Sequence, residues 1–280
     1  MGISIVTDST SEISPKCAAK QNIKVVPLKT VFGEKEYLEG IDLEPEGFYS
    51  MLSQSKELPK TSQPAPFDFE QVFCELQKAG DQIIVICLAG SLSGTYQSAC
   101  IAQEKCGGDI WVIDSGTATL GLQILIKRAL SLRESGKSAR EIVDIIEAEK
   151  KSVCIYAVVD NLEYLFKGGR LSRTSAIAGT ILKVKPVISL LHGKVDVIGR
   201  ALGLKKAFTE LFSFVKSANG IDYTKPFAIG YTGTRERFMQ FEQVCRQYFD
   251  GHVPIVGTIG SVVGTHAGPG AVAISFFRQR

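Results

Sequence analysis

Short apolar runs alternate with segments of helical character through the first half of the chain, and this alternation constrains the fold more than any other feature. Ile3–Thr7, Gln82–Leu88 and Ile110–Asp114 are rich in β-branched residues, as expected of strands buried on both faces. Each run is followed by a segment with the composition of a helix. Repeated strand–helix units predict a parallel sheet with helices on both faces.

The second half has a different pattern. Val187–Leu191 and Lys194–Ile198 flank His192-Gly193, which is typical of a hairpin with a tight turn. Hairpins mixed with helices predict an α+β layout with a mainly antiparallel sheet. The predicted fold class is therefore α/β, with a parallel α/β domain over residues 1–152 and an α+β domain over residues 153–280. A loop around residues 60–80 can pack on the second domain.

Three local expectations matter for the site. Lys24–Val31 is predicted to be a single strand, and Lys60–Pro66 to be a proline-rich loop. His266 is expected in a loop of small residues, where an imidazole can approach a ligand closely and donate a hydrogen bond to an anion. A loop histidine that bonds its own backbone is the alternative.

Composition and charge exclude several function classes. Lys and Arg total 32 against 29 acidic residues, without a basic block, which excludes a nucleic-acid partner. The seven cysteines contain no C-x-x-C pair, so we expect buried thiols in a reducing cytoplasm. The first residues enter a strand directly and no long uncharged apolar run follows, so neither a secretion signal nor stable membrane insertion is expected.

The strand Ile83–Leu88 leads through a Gly/Ser loop into a helix. Backbone N–H groups at a helix start favour an anion, and Ser91, Ser93 and Thr95 add hydroxyl donors. Because the lysine of a nucleotide-binding P-loop is absent, the loop favours a carboxylate or a single phosphate over a nucleoside triphosphate. A well-capped helix start explains the same residues equally well.

A second hydroxyl-rich loop contains Thr61 and Ser62 and is stiffened by Pro64 and Pro66. Proline restricts its own backbone and that of the preceding residue, so such a loop can fix a hydroxyl in place. The alternative is a helix entry, with Ser62 or Asp68 as the cap.

Metal and acyl-transfer chemistry have weaker support. Asp8 and Asp114 follow predicted strands, but neither has a second ligand at metal-binding spacing, so they are interpreted as loop caps. Ser93, His266 and Asp8 could form a hydrolase triad, although the Gly-x-Ser-x-Gly elbow is absent. A stand-alone serine hydrolase and a phosphate-ligand enzyme remain the alternatives.

Seven segments together resemble the DegV family of bacterial lipid-binding proteins, nearly from end to end. Each is weak alone, but their order and spacing are specific. They are Thr7–Thr10, Gly33–Asp42, Thr61–Pro66, Leu92–Ala99, Asp114-Ser115, Leu162–Arg170 and His266–Gly270.

The resemblance implies a carrier that is not catalytic alone and holds a long-chain fatty acid in a buried tunnel between its two domains. A separate ATP-binding kinase subunit would phosphorylate the bound carboxylate to an acyl phosphate. By position, Thr61, Ser93 and His266 match the carboxylate-binding residues, with Ser62 beside them. Arg170 and Arg200 match basic residues near the phosphoryl-transfer and partner surface. No cofactor or metal is implied.

Overall fold

The computed structural model describes residues 2–171 and 183–279. The strands are β1 (Ile3–Asp8), β2 (Ile23–Val26), β3 (Lys29–Phe32), β4 (Lys35–Leu38), β5 (Lys60–Ser62), β6 (Gln82–Cys87), β7 (Ile110–Asp114), β8 (Val153–Val158), β9 (Val184–Leu191), β10 (Lys194–Leu202), β11 (Ala228–Tyr231), β12 (Ile255–Thr258) and β13 (Val272–Phe277). The helices are α1 (Pro15–Gln21), α2 (Pro45–Gln54), α3 (Pro66–Lys78), α4 (Thr95–Cys106), α5 (Thr119–Glu134), α6 (Ala139–Glu149), α7 (Glu163–Lys167), α8 (Leu204–Ser217), α9 (Arg235–Cys245) and α10 (Ser261–Ala267).

Within the described residues the strands form three sheets, and the first is parallel as predicted. Its order is β2-β1-β6-β7, with every neighbouring pair parallel. Ile83–Cys87 is buried along its whole length, which accounts for the unbroken apolar run in the sequence. Ligands of open parallel sheets bind beyond the carboxyl ends of the strands, so a ligand site is expected at the loops after β1, β6 and β7.

The second sheet is mixed and mainly antiparallel, again as predicted. Its six described strands run in the order β10-β9-β8-β13-β11-β12, and β11 with β12 is the parallel pair. His192 and Gly193 join β9 to β10 with positive φ angles of 50° and 74°. Two residues with positive φ are what a tight type I′ hairpin turn requires.

The third sheet was not predicted. Its described strands run antiparallel in the order β4-β3-β5. The single strand expected over Lys24–Val31 is wrong, because the chain leaves the parallel sheet after Val26 and enters this small sheet at Lys29. Pro27, which has no N–H to donate to a ladder, lies at the break.

Helix α5 packs between the two large sheets. Residues 120–126 are all buried, so this part of the helix is covered on every face. It contacts β1 and β6 of the parallel sheet and β8, β11 and β13 of the mixed sheet. The largest buried cluster accordingly joins Ile5 and Ile84 to Ile155 and Ala273. The two sheets therefore share one hydrophobic core through α5.

Candidate functional site

A cavity of about 200 Å³ lies between the mixed sheet and the loops that follow the parallel strands. Alternate residues along the mixed sheet face it, including Ile155 and Ala157 of β8 and Ile188 and Leu190 of β9. This alternation is the normal two-residue period of a strand, whose other face packs in a separate core. The opposite wall is formed by apolar residues from the loops, namely Leu28, Leu88, Leu92 and Ala118. Most of the lining is therefore apolar.

The polar part of the lining contains a threonine–histidine pair. Thr61 Oγ1 and His266 Nε2 are 3.0 Å apart. Thr61 lies on β5, opposite Thr30 of β3, rather than in the predicted loop. His266 lies in the last turn of α10, so its expected loop position is also wrong. The pairing of β5 and the docking of α10 bring these two side chains together.

His266 is a neutral imidazole at pH 7. Burial lowers its pKa to about 4, and the positive charge of Arg170 acts in the same direction. Nδ1 of His266 is buried and has no hydrogen-bond partner within residues 2–171 and 183–279. Gly168 packs against this atom so closely that a Cβ at position 168 would collide with it. The ring is thus fixed by Thr61 on one side and by a glycine on the other.

The Ser93 hydroxyl lies at the start of α4. Its Oγ is 2.9 Å from Thr95 Oγ1 and accepts a hydrogen bond from the Thr95 N–H at 3.3 Å. Arg170 holds the adjoining backbone, because its Nε and Nη2 donate to the Leu92 carbonyl at 3.1 and 2.9 Å. Ser93 accepts a hydrogen bond from the first N–H of α4, whose N-cap residue is Gly94, and it also lines the cavity. The helix-start and anion-site alternatives raised for this loop are therefore compatible.

Two glutamates that the sequence interpretation missed, the buried Glu39 and the half-buried Glu12, hold the N-terminus of α10. Glu39 Oε1 accepts a hydrogen bond from the Val262 N–H at 2.7 Å, and Glu12 Oε2 accepts one from the Gly260 N–H at 2.8 Å. Burial raises the pKa of both carboxyl groups. Carboxylates at the N-terminus of a helix satisfy its free N–H groups. Glu12 and Glu39 therefore fix the helix that carries His266.

Gln63 is a further cavity residue that the sequence interpretation passed over. Its Nε2 donates to Ser98 Oγ at 3.0 Å, which ties the end of β5 to α4. Its amide packs against Gly94, where a Cβ would collide with it. The amide therefore spans the two loops that carry Thr61 and Ser93.

Comparison with known proteins identifies the family. The model of a family described as "Uncharacterised protein, DegV family" matches residues 2–279. The chain belongs to the DegV family. A DegV domain-containing protein of Caldanaerobacter subterraneus is 37% identical over 280 residues, covering 99% of both chains.

Solved DegV structures share the whole fold. A DegV family protein from Thermus thermophilus, described as fatty-acid binding, superimposes with a TM-score of 0.90 at 30% identity, covering 100% of both chains. A stearic-acid-binding protein from Eubacterium ventriosum gives a TM-score of 0.89 at 26% identity, covering 99% of this chain and 98% of the other.

In this DegV protein the candidate residues fall into two groups. Thr61, Ser62, Ser93, His266 and Arg170 all line the one cavity. Ser62 is exposed at its rim, and its Oγ lies 3.4 Å from the Gln63 carbonyl. Arg200 lies elsewhere, exposed on the edge strand β10 opposite Pro186 of β9. The structure therefore gathers five of the six predicted residues and separates Arg200 from them.

The geometry gives little support to a hydrolase triad. Asp8 accepts hydrogen bonds from the Thr10 hydroxyl at 2.6 Å and the Leu88 N–H at 2.7 Å, so its carboxylate caps loops. A triad needs an acid on the histidine nitrogen opposite the serine, yet Nδ1 of His266 has no partner in the described part of the chain. Asp114 likewise caps a loop, accepting from the Gly116 N–H at 2.9 Å.

Residues 2–171 and 183–279 contain no group of three or more His, Cys, Asp or Glu side chains placed to hold a metal ion. The helices in those ranges include none with the length and hydropathy needed to cross a membrane.

Proposed function

We propose that this DegV protein binds a long-chain fatty acid, with its tail in the apolar cavity and its carboxylate at Thr61, Ser93 and His266, beside Ser62. The observation that carries the proposal is the cavity itself, which is apolar along the mixed sheet and has the Thr61–His266 pair in its wall. The fatty-acid binding described for the similar proteins from T. thermophilus and E. ventriosum supports the same ligand class.

The tail would supply most of the affinity. Burying about fifteen methylenes at ~0.8 kcal/mol each gives a gross gain of about 12 kcal/mol. Association and ordering remove several of these kilocalories, because the ligand loses translational and internal freedom. The cavity need only be apolar and of suitable shape for this contribution.

The head group would set the orientation of the ligand. A buried carboxylate is costly unless hydrogen-bond donors replace its water. Thr61 and His266 use one of their two protons in their mutual hydrogen bond, so this pair supplies one donor to the carboxylate, and the Ser93 hydroxyl supplies a second. The guanidinium of Arg170 lines the same cavity and adds a positive charge. These groups together offset the desolvation of one carboxylate.

The proposal extends to a carrier role in two-subunit chemistry. A separate ATP-binding kinase subunit would transfer a phosphoryl group to a carboxylate oxygen and release ADP, leaving an acyl phosphate on the carrier. Arg170 at the cavity and Arg200 exposed on β10 are the cations assigned to that partner surface. A division into domains 1–152 and 153–280, and a cytoplasmic location, belong to the same proposal.

Mass spectrometry of the denatured protein tests the ligand first. Protein purified without added lipid should release a long-chain acid, and the delipidated protein should gain thermal stability from palmitic or oleic acid. Tight binding of a small phosphorylated molecule that competes with the acid would instead favour the phosphate-ligand alternative. The absence of both an extracted acid and an acid-induced shift would overturn the proposal.

Reconstitution with a fatty-acid kinase subunit and labelled ATP tests the carrier role separately. Label should appear in the acyl phosphate only when both proteins and the acid are present. If the protein binds the acid but yields no labelled product with the kinase subunit of its own organism, the binding role stands and the carrier role fails.

A further inference from the structure

Two cysteines on neighbouring helices lie side by side at the surface. Cys74 of α3 is exposed, contrary to the expectation of buried thiols, and Cys106 ends α4 half-buried. Both are free thiols. The two thiols are close enough to interact with each other.

Contacts on both sides fix this pair in position. On α3, Glu70, Cys74 and Gln77 follow one another at helical spacing on one face. Glu70 forms an ion pair of 2.7 Å with Lys105, and Gln77 Nε2 donates to the carbonyl of Gly107 at 2.7 Å. These two contacts bracket Cys74 and Cys106 from either side along the helices. The thiols therefore meet because the helices are docked there, independently of either side chain.

We propose that Cys74 and Cys106 form a reversible redox site, which a peroxide converts from a dithiol to a disulfide. Cys74 is the residue that meets the oxidant, because it is exposed and Cys106 is partly covered. Burial and the neighbouring Cys74 thiol raise the pKa of the Cys106 thiol. Cys106 therefore carries less thiolate at neutral pH and is the less reactive of the two toward the peroxide.

The chemistry balances with hydrogen peroxide as the oxidant. The sulfur of Cys74 attacks one peroxide oxygen, the O–O bond breaks, and one water leaves as Cys74 becomes a sulfenic acid. The sulfur of Cys106 then attacks Cys74 Sγ, forming the S–S bond and breaking the S–O bond. The second water leaves with the Cys106 proton. Two thiols are oxidised by two electrons in total, and the peroxide is reduced to two waters.

Cys74 and Cys106 lie outside the cavity, but the two helices that carry them lead to it. Helix α3 begins at Pro66, shortly after Thr61, and α4 begins at Thr95, directly after the Ser93 loop. A disulfide would join Cys74 to the far end of α4, and so hold together the two helices whose starts flank the polar lining. Oxidation would thus restrict the movement of α3 relative to α4, and so stiffen the segments that flank the polar lining of the cavity.

Peptide mapping after titration of the intact protein with hydrogen peroxide tests the proposal. One equivalent should remove two free thiols per chain, yield a 74–106 cross-linked peptide, and raise the melting temperature. Dithiothreitol should reverse all three changes. The Cys106→Ser variant should stop at a dimedone-reactive sulfenic acid on Cys74, without a rise in melting temperature. The Cys74→Ser variant should form no cross-link at Cys106.

Cys17→Ser is the matched control, because Cys17 is a half-buried thiol on α1, and this variant should oxidise as the wild type does. A cross-linked peptide that joins other cysteines would overturn the proposal. Equal loss of thiols in the wild type and in Cys106→Ser would overturn it as well, since no resolving step would then be needed. Neither result depends on fatty-acid binding, so this test and that of the proposed function fail separately.

Discussion

Replacing Thr61 by valine removes one hydroxyl and leaves the shape of the side chain almost unchanged. Valine is β-branched, so it suits the position on β5 opposite Thr30. The variant loses the 3.0 Å contact with His266 Nε2 and one proposed donor to the ligand carboxylate. We therefore expect a folded protein with impaired recognition of the head group.

The expected magnitude follows from the charge of the partner. In the free protein Thr61 meets a neutral imidazole, and such a hydrogen bond contributes about 0.5–1.5 kcal/mol to stability. In the complex the hydroxyl would donate to a carboxylate, and that bond is worth about 1.5–3 kcal/mol. Affinity depends on the difference between these two bonds, about 1–1.5 kcal/mol, so binding of the acid should weaken by roughly five- to ten-fold.

Displacement of a fluorescent fatty-acid analogue by oleic acid and by oleyl alcohol measures this loss. The two ligands share a tail, so the variant should lose affinity for the acid and much less for the alcohol. Thr209→Val, at an exposed hydroxyl on α8, serves as the control and should bind both ligands as the wild type does. If Thr61→Val binds the acid normally while remaining folded, the carboxylate does not lie at Thr61.

Three further predictions test the surroundings of the pair. Gly168→Ala should push His266 aside and weaken acid binding more than about ten-fold, as measured by fluorescence displacement. Gly47→Ala is the control and should bind normally, because its Cβ would meet Leu43 at an ordinary 3.5 Å. Equal affinity in the two variants would show that His266 does not bind the acid. Arg170→Ala should raise the pKa of His266 above about 4, since a nearby positive charge is lost, and an unchanged value in an NMR titration would show that burial alone sets it. Burial raises the pKa of Asp8 from 3.8 to about 6, so the folded state holds that proton more tightly and stability falls as pH rises through this window. As pH rises through this window, the free energy of unfolding measured with denaturant should fall by about 3 kcal/mol more in the wild type than in Asp8→Asn. The same pH dependence in both proteins would contradict the raised pKa of Asp8.

The parallel sheet and the hairpin could be predicted from sequence because their signals are local. The Ile83–Cys87 run needs no distant partner to be recognised as a buried strand. The His192-Gly193 turn is equally local, since its two residues accept positive φ.

Thr61 and His266 were singled out from the sequence and lie together in the structure, but the local structure predicted for each was wrong. Strand β5 contains only three residues and exists because it pairs with β3, a tertiary partner that the proline-rich segment does not reveal. Helix α10 is seven residues long and contains Gly264 and β-branched residues, which are weak helix formers. Carboxylates from distant segments stabilise its first turn, and this support overrides the low propensity.

Glu12 and Glu39 could not be recognised in advance. An isolated glutamate in a sequence is most often a solvated surface residue, and nothing beside either of them marks burial. Their role arises only when Gly260 and Val262 are brought against them. The polar side chains that support the cavity were thus less predictable than those that line it.

The contact between Thr61 and His266 joins residues 205 positions apart, and Glu12 reaches 248 positions to Gly260. Contacts this remote in sequence require a large loop to close before they are made. During synthesis the ribosome must translate past His266 before the Thr61–His266 pair can form. Loading of the proposed fatty acid would therefore follow translation of the whole cavity wall.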